Sequence, residues 1–180
     1  MSWIIPSDKC TLTDQKRFRD EAQAAGIARA AEKLGQKPDE LTVMQLQNIT
    51  DMGAALEQWN TAALAVVGTA YSVFQAGGAG APQLANNRLV VFYGVAIETI
   101  PCPVSRLTFR SGGIAGNIKA EFDLEQIVNA QTVEGYFSQP VYVDPTEIFA
   151  CQVTCRIATG AIARIQLMNW LILPAGQRIA

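Results

Sequence analysis

The sequence predicts an α+β protein: a helical arm of two to three helices over residues 1–76, a Gly/Pro linker over 77–87, and an antiparallel β-sandwich over 88–180. Three observations predict it. Apolar residues recur at spacings of three and four in the first part. Gln75–Pro82 then gathers three glycines and a proline. Beyond Pro82, runs rich in Val, Ile, Thr, Phe and Tyr alternate with turn residues and leave no room for crossover helices.

Thr11 to Asp14 carries the spacing of a capping box, and Gly35 with Pro38 beyond it is a helix stop, which predicts a first helix between them. Ala24, Ile27, Ala28, Ala31 and Leu34 form its expected apolar stripe, and Lys16, Arg17, Arg19, Asp20, Glu21, Glu32 and Lys33 its wetted side. A stripe made mostly of alanine buries little area, so this helix needs a close partner. A second helix is expected from Pro38-Asp39-Glu40, where proline suits the first turn and acids suit the positive end. A third is expected after the break at Asn48 to Asp51, with Met52, Leu56, Trp59, Ala63, Val66, Ala70 and Phe74 at helical spacing.

Thr61 to Phe74 carries no charge over 14 residues. Spanning a bilayer as a helix takes about 20 residues, so this stretch reads as a buried helix or as a face toward lipid or neighbouring subunits. Leu64, Val66, Val67, Tyr71 and Phe74 are the candidate interface residues. The Gly-rich stretch after it lacks the lysine and the strand–loop–helix order of a phosphate-binding loop, which argues against nucleotide binding.

Six strands are expected, over 88–100, 104–110, 117–123, 136–143, 148–157 and 164–173, with a turn at Leu124 to Asn129. Leu107 and Phe109 alternate with Arg106, Thr108 and Arg110, and Val141 and Val143 flank Tyr142, the period of a strand with one buried face. Asp144-Pro145-Thr146-Glu147 reads as a corner between strands.

The chain contains no histidine. A Ser-His-Asp triad, a Cys-His pair and an H-E-x-x-H zinc site are therefore impossible within it. Charged residues make up 17 %, well below the typical share of about 25 %. Such a shortage suggests surface covered by other chains or by lipid, or a large core. The first 80 residues hold seven Lys/Arg against nine Asp/Glu and the remainder seven against seven, so neither part has the basic footprint of a nucleic-acid binder. Cys10, Cys102, Cys151 and Cys155 are expected as free thiols of a cytoplasmic, unsecreted chain, because the start lacks a charged region and an apolar stretch. Their spacing does not suit a four-thiolate zinc site, and no metal, cofactor or catalytic residue is assigned.

Two weaker candidates come from the second half. A pair among Glu98, Glu121, Asp123, Glu125, Glu134, Asp144 and Glu147 has the residue types of a glycosidase acid and base, although turn caps and solvated faces explain them as well. Tyr136, Phe137, Tyr142 and Phe149 could form a stacking platform, but their spacing suits alternate burial, and Trp170 reads as a core strand residue.

Leu89-Val-Val-Phe-Tyr-Gly94, Arg106-Leu-Thr-Phe-Arg110, Gly135-Tyr-Phe-Ser-Gln-Pro-Val141 and Leu171-Ile-Leu-Pro-Ala-Gly176, in a sandwich preceded by helices, resemble the single jelly-roll coat and minor capsid proteins of viruses and phages. The resemblance covers about the last hundred residues and implies an eight-strand jelly roll, two more strands than the six read from the sequence. It implies a non-enzymatic shell subunit of a virion, assembled in the host cytoplasm, whose wall is the sandwich and whose arm binds copies of itself, a second coat protein or an underlying lipid layer. The rival is a ligand-binding sandwich, for carbohydrate or protein, with a helical oligomerisation segment.

Overall fold

Residues 2–46, 60–73, 83–129 and 134–177 are described by a computed structural model. Among them are nine strands in two sheets, one long helix and one short one: β1 (Ile4–Pro6), α1 (Leu12–Leu34), β2 (Leu41–Met44), β3 (Ala70–Ser72), β4 (Leu89–Ile97), β5 (Val104–Ser111), β6 (Asn117–Asp123), α2 (Glu125–Asn129), β7 (Glu134–Val143), β8 (Phe149–Cys155) and β9 (Ile165–Pro174). One sheet has the order β1-β7-β4-β9-β2 and the other β3-β8-β5-β6. All pairings within the two sheets are antiparallel. The six strands expected after residue 88 all form, and α2 occupies the expected turn.

The pairs β5·β6, β4·β7, β3·β8 and β2·β9 nest inside one another, as in one long hairpin with arms β2–β5 and β6–β9. The hairpin is folded over so that alternate pairs go to opposite sheets, and β4·β9 and β5·β8 join them side by side. Every connection from β2 to β9 crosses between sheets except the one from β5 to β6.

Between the sheets lies an aromatic centre. Phe122 and Phe137 stack at 4.1 Å between ring centroids, and Phe109 stands edge-on to Phe137 at 5.9 Å and tilted against Phe92 at 5.5 Å. Leu107, Val141, Val153, Ile165 and Leu171 pack around it, the inward half of each alternating strand. Cys151 and Cys155 sit on this same inward face of β8, and none of the four cysteines is in a disulfide. Burial raises the Cys151 thiol well above its ordinary pKa, so it acts as a small hydrophobe.

Helix α1 forms as the capping signals predict. The Thr11 hydroxyl accepts from Asp14 N at 3.2 Å, Thr11 N donates back to the Asp14 carboxylate at 3.1 Å, and Gly35 ends the helix at φ 65°. The buried face differs from the expected stripe. Ala22, Gly26 and Ala30 are buried, whereas Ala24 and Ala28 face solvent. The reason is close approach: a Cβ on Gly26 would lie 2.6 Å from Val91 Cγ2 and 2.7 Å from Ile172 Cδ1. The partner that the alanine-rich helix needs is the chain's own five-stranded sheet, whose outer face contributes Leu89, Val91, Tyr93, Tyr136 and Ile172. Trp170, expected in the core, lies half-buried on this outer face, stacks on Tyr93 at 6.0 Å and donates its indole N–H to Arg19 O at 3.2 Å.

Two further expected helices are corrected. Pro38–Glu40 makes only a single 3-10 turn, after which Leu41–Met44 pairs with Pro174–Leu171 of β9. The proline and acids began a turn as read, but sheet pairing outweighed continuation in β-branched sequence. Within the expected third helix, residues 60–73 are extended or turn and end in β3, whose Ala70, Tyr71 and Ser72 pair with Thr154, Val153 and Gln152. Residues 47–59 and Phe74 lie outside the described residues, as does most of the 77–87 linker. Three strands thus come from residues 1–76, where helices are expected.

A bidentate pair fastens α1 to the corner after β7. Arg29 Nε and Nη2 donate to the two Asp144 oxygens at 2.7 and 2.6 Å, and its guanidinium lies 5.0 Å from the Tyr142 ring centroid. The same corner holds Glu147, which accepts from Lys119 Nζ at 2.7 Å and from Asp144 N at 2.9 Å and so ties β6 to the opposite sheet. The Arg29 hydrogen bonds hold the Asp144 carboxyl below its ordinary pKa. A depressed carboxylate contributes stability above the unfolded value, about 3.9, and loses it as pH falls through the lower folded value. Asp144→Asn is therefore expected to cost about 1 kcal/mol at neutral pH, a figure reduced for solvent screening of the half-exposed pair. In urea melts at several pH values, the gap between wild type and variant is expected to close as the solution is acidified below about pH 4; a gap independent of pH would show that the pair contributes no linked stability.

Candidate assembly surface

Three connections meet at one end of the sandwich: residues 60–69 leading to β3, 98–103 between β4 and β5, and 156–164 between β8 and β9. Backbone hydrogen bonds lock the first to the third, with Thr61 N on Ala163 O at 3.0 Å, Leu64 N on Ala161 O at 2.9 Å and Gly160 N on Leu64 O at 2.9 Å. The second joins through Glu98 N on Arg164 O at 3.1 Å and Arg156 N on Pro103 O at 2.7 Å. Irregular backbone is thereby satisfied without a regular ladder.

The expected interface residues divide by role here. Leu64 is buried in the inter-sheet core and anchors the first connection. The Tyr71 hydroxyl accepts from Ala65 N at 3.1 Å and Val66 N at 3.0 Å, which fixes the turn that Gly68 completes at φ 80°. That turn presents Val66 and Val67 to solvent, 57 % and 60 % exposed. Phe74 is outside the described residues.

Sequence reasoning missed the residues that share this end. Ile100 is 75 % exposed in the second connection, and Ile157 and Ile162 are exposed in the third. Bulky β-branched side chains beside Pro101, Pro103 and Gly160 were the available signal, since turn segments normally carry small or polar residues. Their convergence with Val66 and Val67 depends on strand order, which periodicity does not supply. This end thus exposes five bulky apolar side chains on three hydrogen-bonded connections, together with the Glu98–Arg164 ion pair at 3.3 Å, and covering the apolar ones against another apolar surface is favourable.

The weaker candidates resolve into structural roles. Glu121, Asp123 and Glu125 line a cleft of about 240 Å³ with Ser105 and Arg106. Glu121 pairs with Arg106 at 3.6 Å, and the Asp123 carboxylate accepts from Glu125 N at 2.9 Å and caps α2. The four aromatics do not form one platform: Phe137 and Phe149 point into the inter-sheet core, Tyr136 and Tyr142 to the side of α1. Among the described residues no cluster of cysteine and carboxylate groups could hold a metal ion, and no helix is long and apolar enough to cross a membrane.

No family model and no curated protein matches this chain.

Proposed function

We propose that this chain is a structural self-assembly protein, a capsid component of a virus or phage, folded as a single jelly roll and without enzymatic activity. The nested strand pairs support the jelly-roll reading: leaving β1 aside, β2-β9-β4-β7 packs on β3-β8-β5-β6, the arrangement of two interlocked Greek keys. The apolar end formed by Val66, Val67, Ile100, Ile157 and Ile162 is the observation that carries the assembly reading, because it gives one subunit a defined surface to cover. Residues 60–73 supply no helix to lie on lipid. The partners proposed are copies of the chain, with a second coat protein where closure needs one, and its place is the virion.

Light scattering of the purified protein across salt concentration, with negative-stain imaging of each peak, tests this. Large closed particles or regular sheets are expected from the wild type. Val66→Asp combined with Val67→Asp is expected to leave the melting midpoint nearly unchanged, within about 0.5 kcal/mol as for other exposed sites, and to abolish particles. A wild type that stays monomeric at every salt concentration and at high protein concentration would refute unaided assembly.

A further inference from the structure

A second cleft lies on the outer face of the five-stranded sheet, under α1. Its roof is one face of α1, formed by Leu12, Gln15, Lys16 and Arg19 at helical spacing. Its floor comes from three adjacent strands: Tyr93 of β4, Tyr136 of β7 and Met168 of β9. The cleft is open to solvent and has a volume of about 300 Å³, at the small end of the range for small-molecule sites.

The two tyrosines make this more than a gap under a helix. Each is only 7 % exposed. Their rings are held by packing, Tyr136 on Phe18 at 5.4 Å and Tyr93 on Trp170 at 6.0 Å. Both line the cleft, where their hydroxyls are within reach of solvent and of whatever enters it. A β-bulge follows Phe92 in β4. Between Phe92 and Gly94 the register of β4 shifts against both β7 and β9, and Tyr93 drops out of both ladders. Leu89, Val91 and Tyr93 share the outer face by strand alternation, which turns Tyr93 toward the cleft.

The surrounding charge narrows what could enter. Among the described residues Lys16 is in no ion pair, and Arg19 has only an exposed contact with Asp20 at 3.5 Å. Burial raises the pKa of both phenols, with the Glu134 carboxylate adding to it, so both keep their protons at neutral pH and remain donors. Glu134 repels negative charge on its side of the cleft, so an anion is directed toward Lys16 and Arg19. Two neutral O–H donors, a carboxamide and an unpaired ammonium above Leu12 and Met168 suit a single negative charge on a small apolar body.

We infer that this cleft binds a small organic carboxylate, its charged end on Lys16 and the hydroxyls of Tyr93 and Tyr136, its apolar end on Leu12 and Met168. The site is independent of the assembly reading, whose readout is particle size. Sodium benzoate and sodium hexanoate are the probes, with benzamide as the neutral counterpart of benzoate.

In tyrosine-labelled protein, benzoate is expected to shift the ring signals of Tyr93 and Tyr136 saturably, while Tyr71 and Tyr142 stay fixed as internal references. Ligand-observed NMR is expected to find benzamide about tenfold weaker, since charge-assisted hydrogen bonds are the stronger kind. Tyr93→Phe with Tyr136→Phe keeps both rings and removes only the hydroxyls. That double variant is expected to retain the wild-type melting midpoint and to bind benzoate about tenfold more weakly. Lys16→Ala is expected to weaken benzoate without affecting benzamide. Three results would overturn the site: no saturable binding of benzoate or hexanoate, equal affinity for benzoate and benzamide, or unchanged affinity in the double variant.

Discussion

Phe109→Ala is expected to produce the largest loss of stability of any single truncation considered, about 3–5 kcal/mol. Phe109 is fully buried and touches three other rings from two sheets: Phe92 at 5.5 Å, Phe137 at 5.9 Å and Phe122 at 6.2 Å. Its removal forfeits the transfer energy of the ring and leaves a cavity that neither sheet can collapse into, because both backbones are fixed by ladders on either side. Since domains are stable by only about 5–15 kcal/mol, a large part of the margin goes with it. The urea midpoint of the variant is expected to fall by more than 1 M on a slope of roughly 1–3 kcal/mol per M, and its melting temperature by about 10 °C. A loss below about 1 kcal/mol would mean that the sheets close over the gap and that the aromatic centre is not what joins them.

The same residue marks how much was legible in the sequence. Leu107 and Phe109 announce an inward face because arginines and threonines alternate with them, and β4 to β9 are all readable on such patterns and on the Pro, Gly and Asp-Pro turns between them. Helix α1 is readable from its ends, where Thr11, Asp14 and Gly35 act locally. What could not be read is whatever depends on a distant partner. Ile4–Pro6 and Ala70–Ser72 are strands only because β7 and β8 offer them an edge, and three residues carry no period. Ala63, Val66 and Ala70 fitted a helical spacing because alanine-rich sequence fits almost any spacing. The buried face of α1 was misjudged for a related reason: Ala22, Gly26 and Ala30 contribute by being small, which a scan for apolar bulk passes over. The tyrosine cleft had no sequence signal at all, since its walls come from α1 and three strands far apart in the chain.

The second large effect concerns that small face. Gly26→Val is expected to destabilise the protein by about 3 kcal/mol, while Gly26→Ala costs about 1. In the alanine variant two terms oppose each other. Glycine to alanine in a helix interior gains up to about 1 kcal/mol, and overpacking costs about 1–3. Ile172 Cδ1 ends a flexible side chain and can move aside, but Val91 Cγ2, 2.6 Å from the new Cβ, belongs to a stiff residue at the middle of β4. Overpacking therefore wins by a small margin. Valine loses the propensity gain and adds two methyl groups against a surface with no room for the first carbon. The helix is then expected to lift from the sheet, which urea denaturation reads as a lower midpoint and hydrogen exchange as faster exchange along 12–34 with β4 to β9 still protected. Equal midpoints for the two variants would show that α1 rides on the sheet with slack.

The nested pairing also sets the order of events in the cell. β9 is the last of the nine strands to leave the ribosome, yet it lies between β4 and β2 in the five-stranded sheet. Until it arrives, β2 has no neighbour and β4 lacks one of its two. The early strands must wait, with their edges and apolar faces uncovered, for a segment more than a hundred residues downstream of β2. Loop closure on that scale favours slow folding after synthesis over domain growth during it. A nascent chain stalled before Ile165 would be a natural client for chaperones, and one that met another copy at that moment would hold open strand edges on which to pair wrongly.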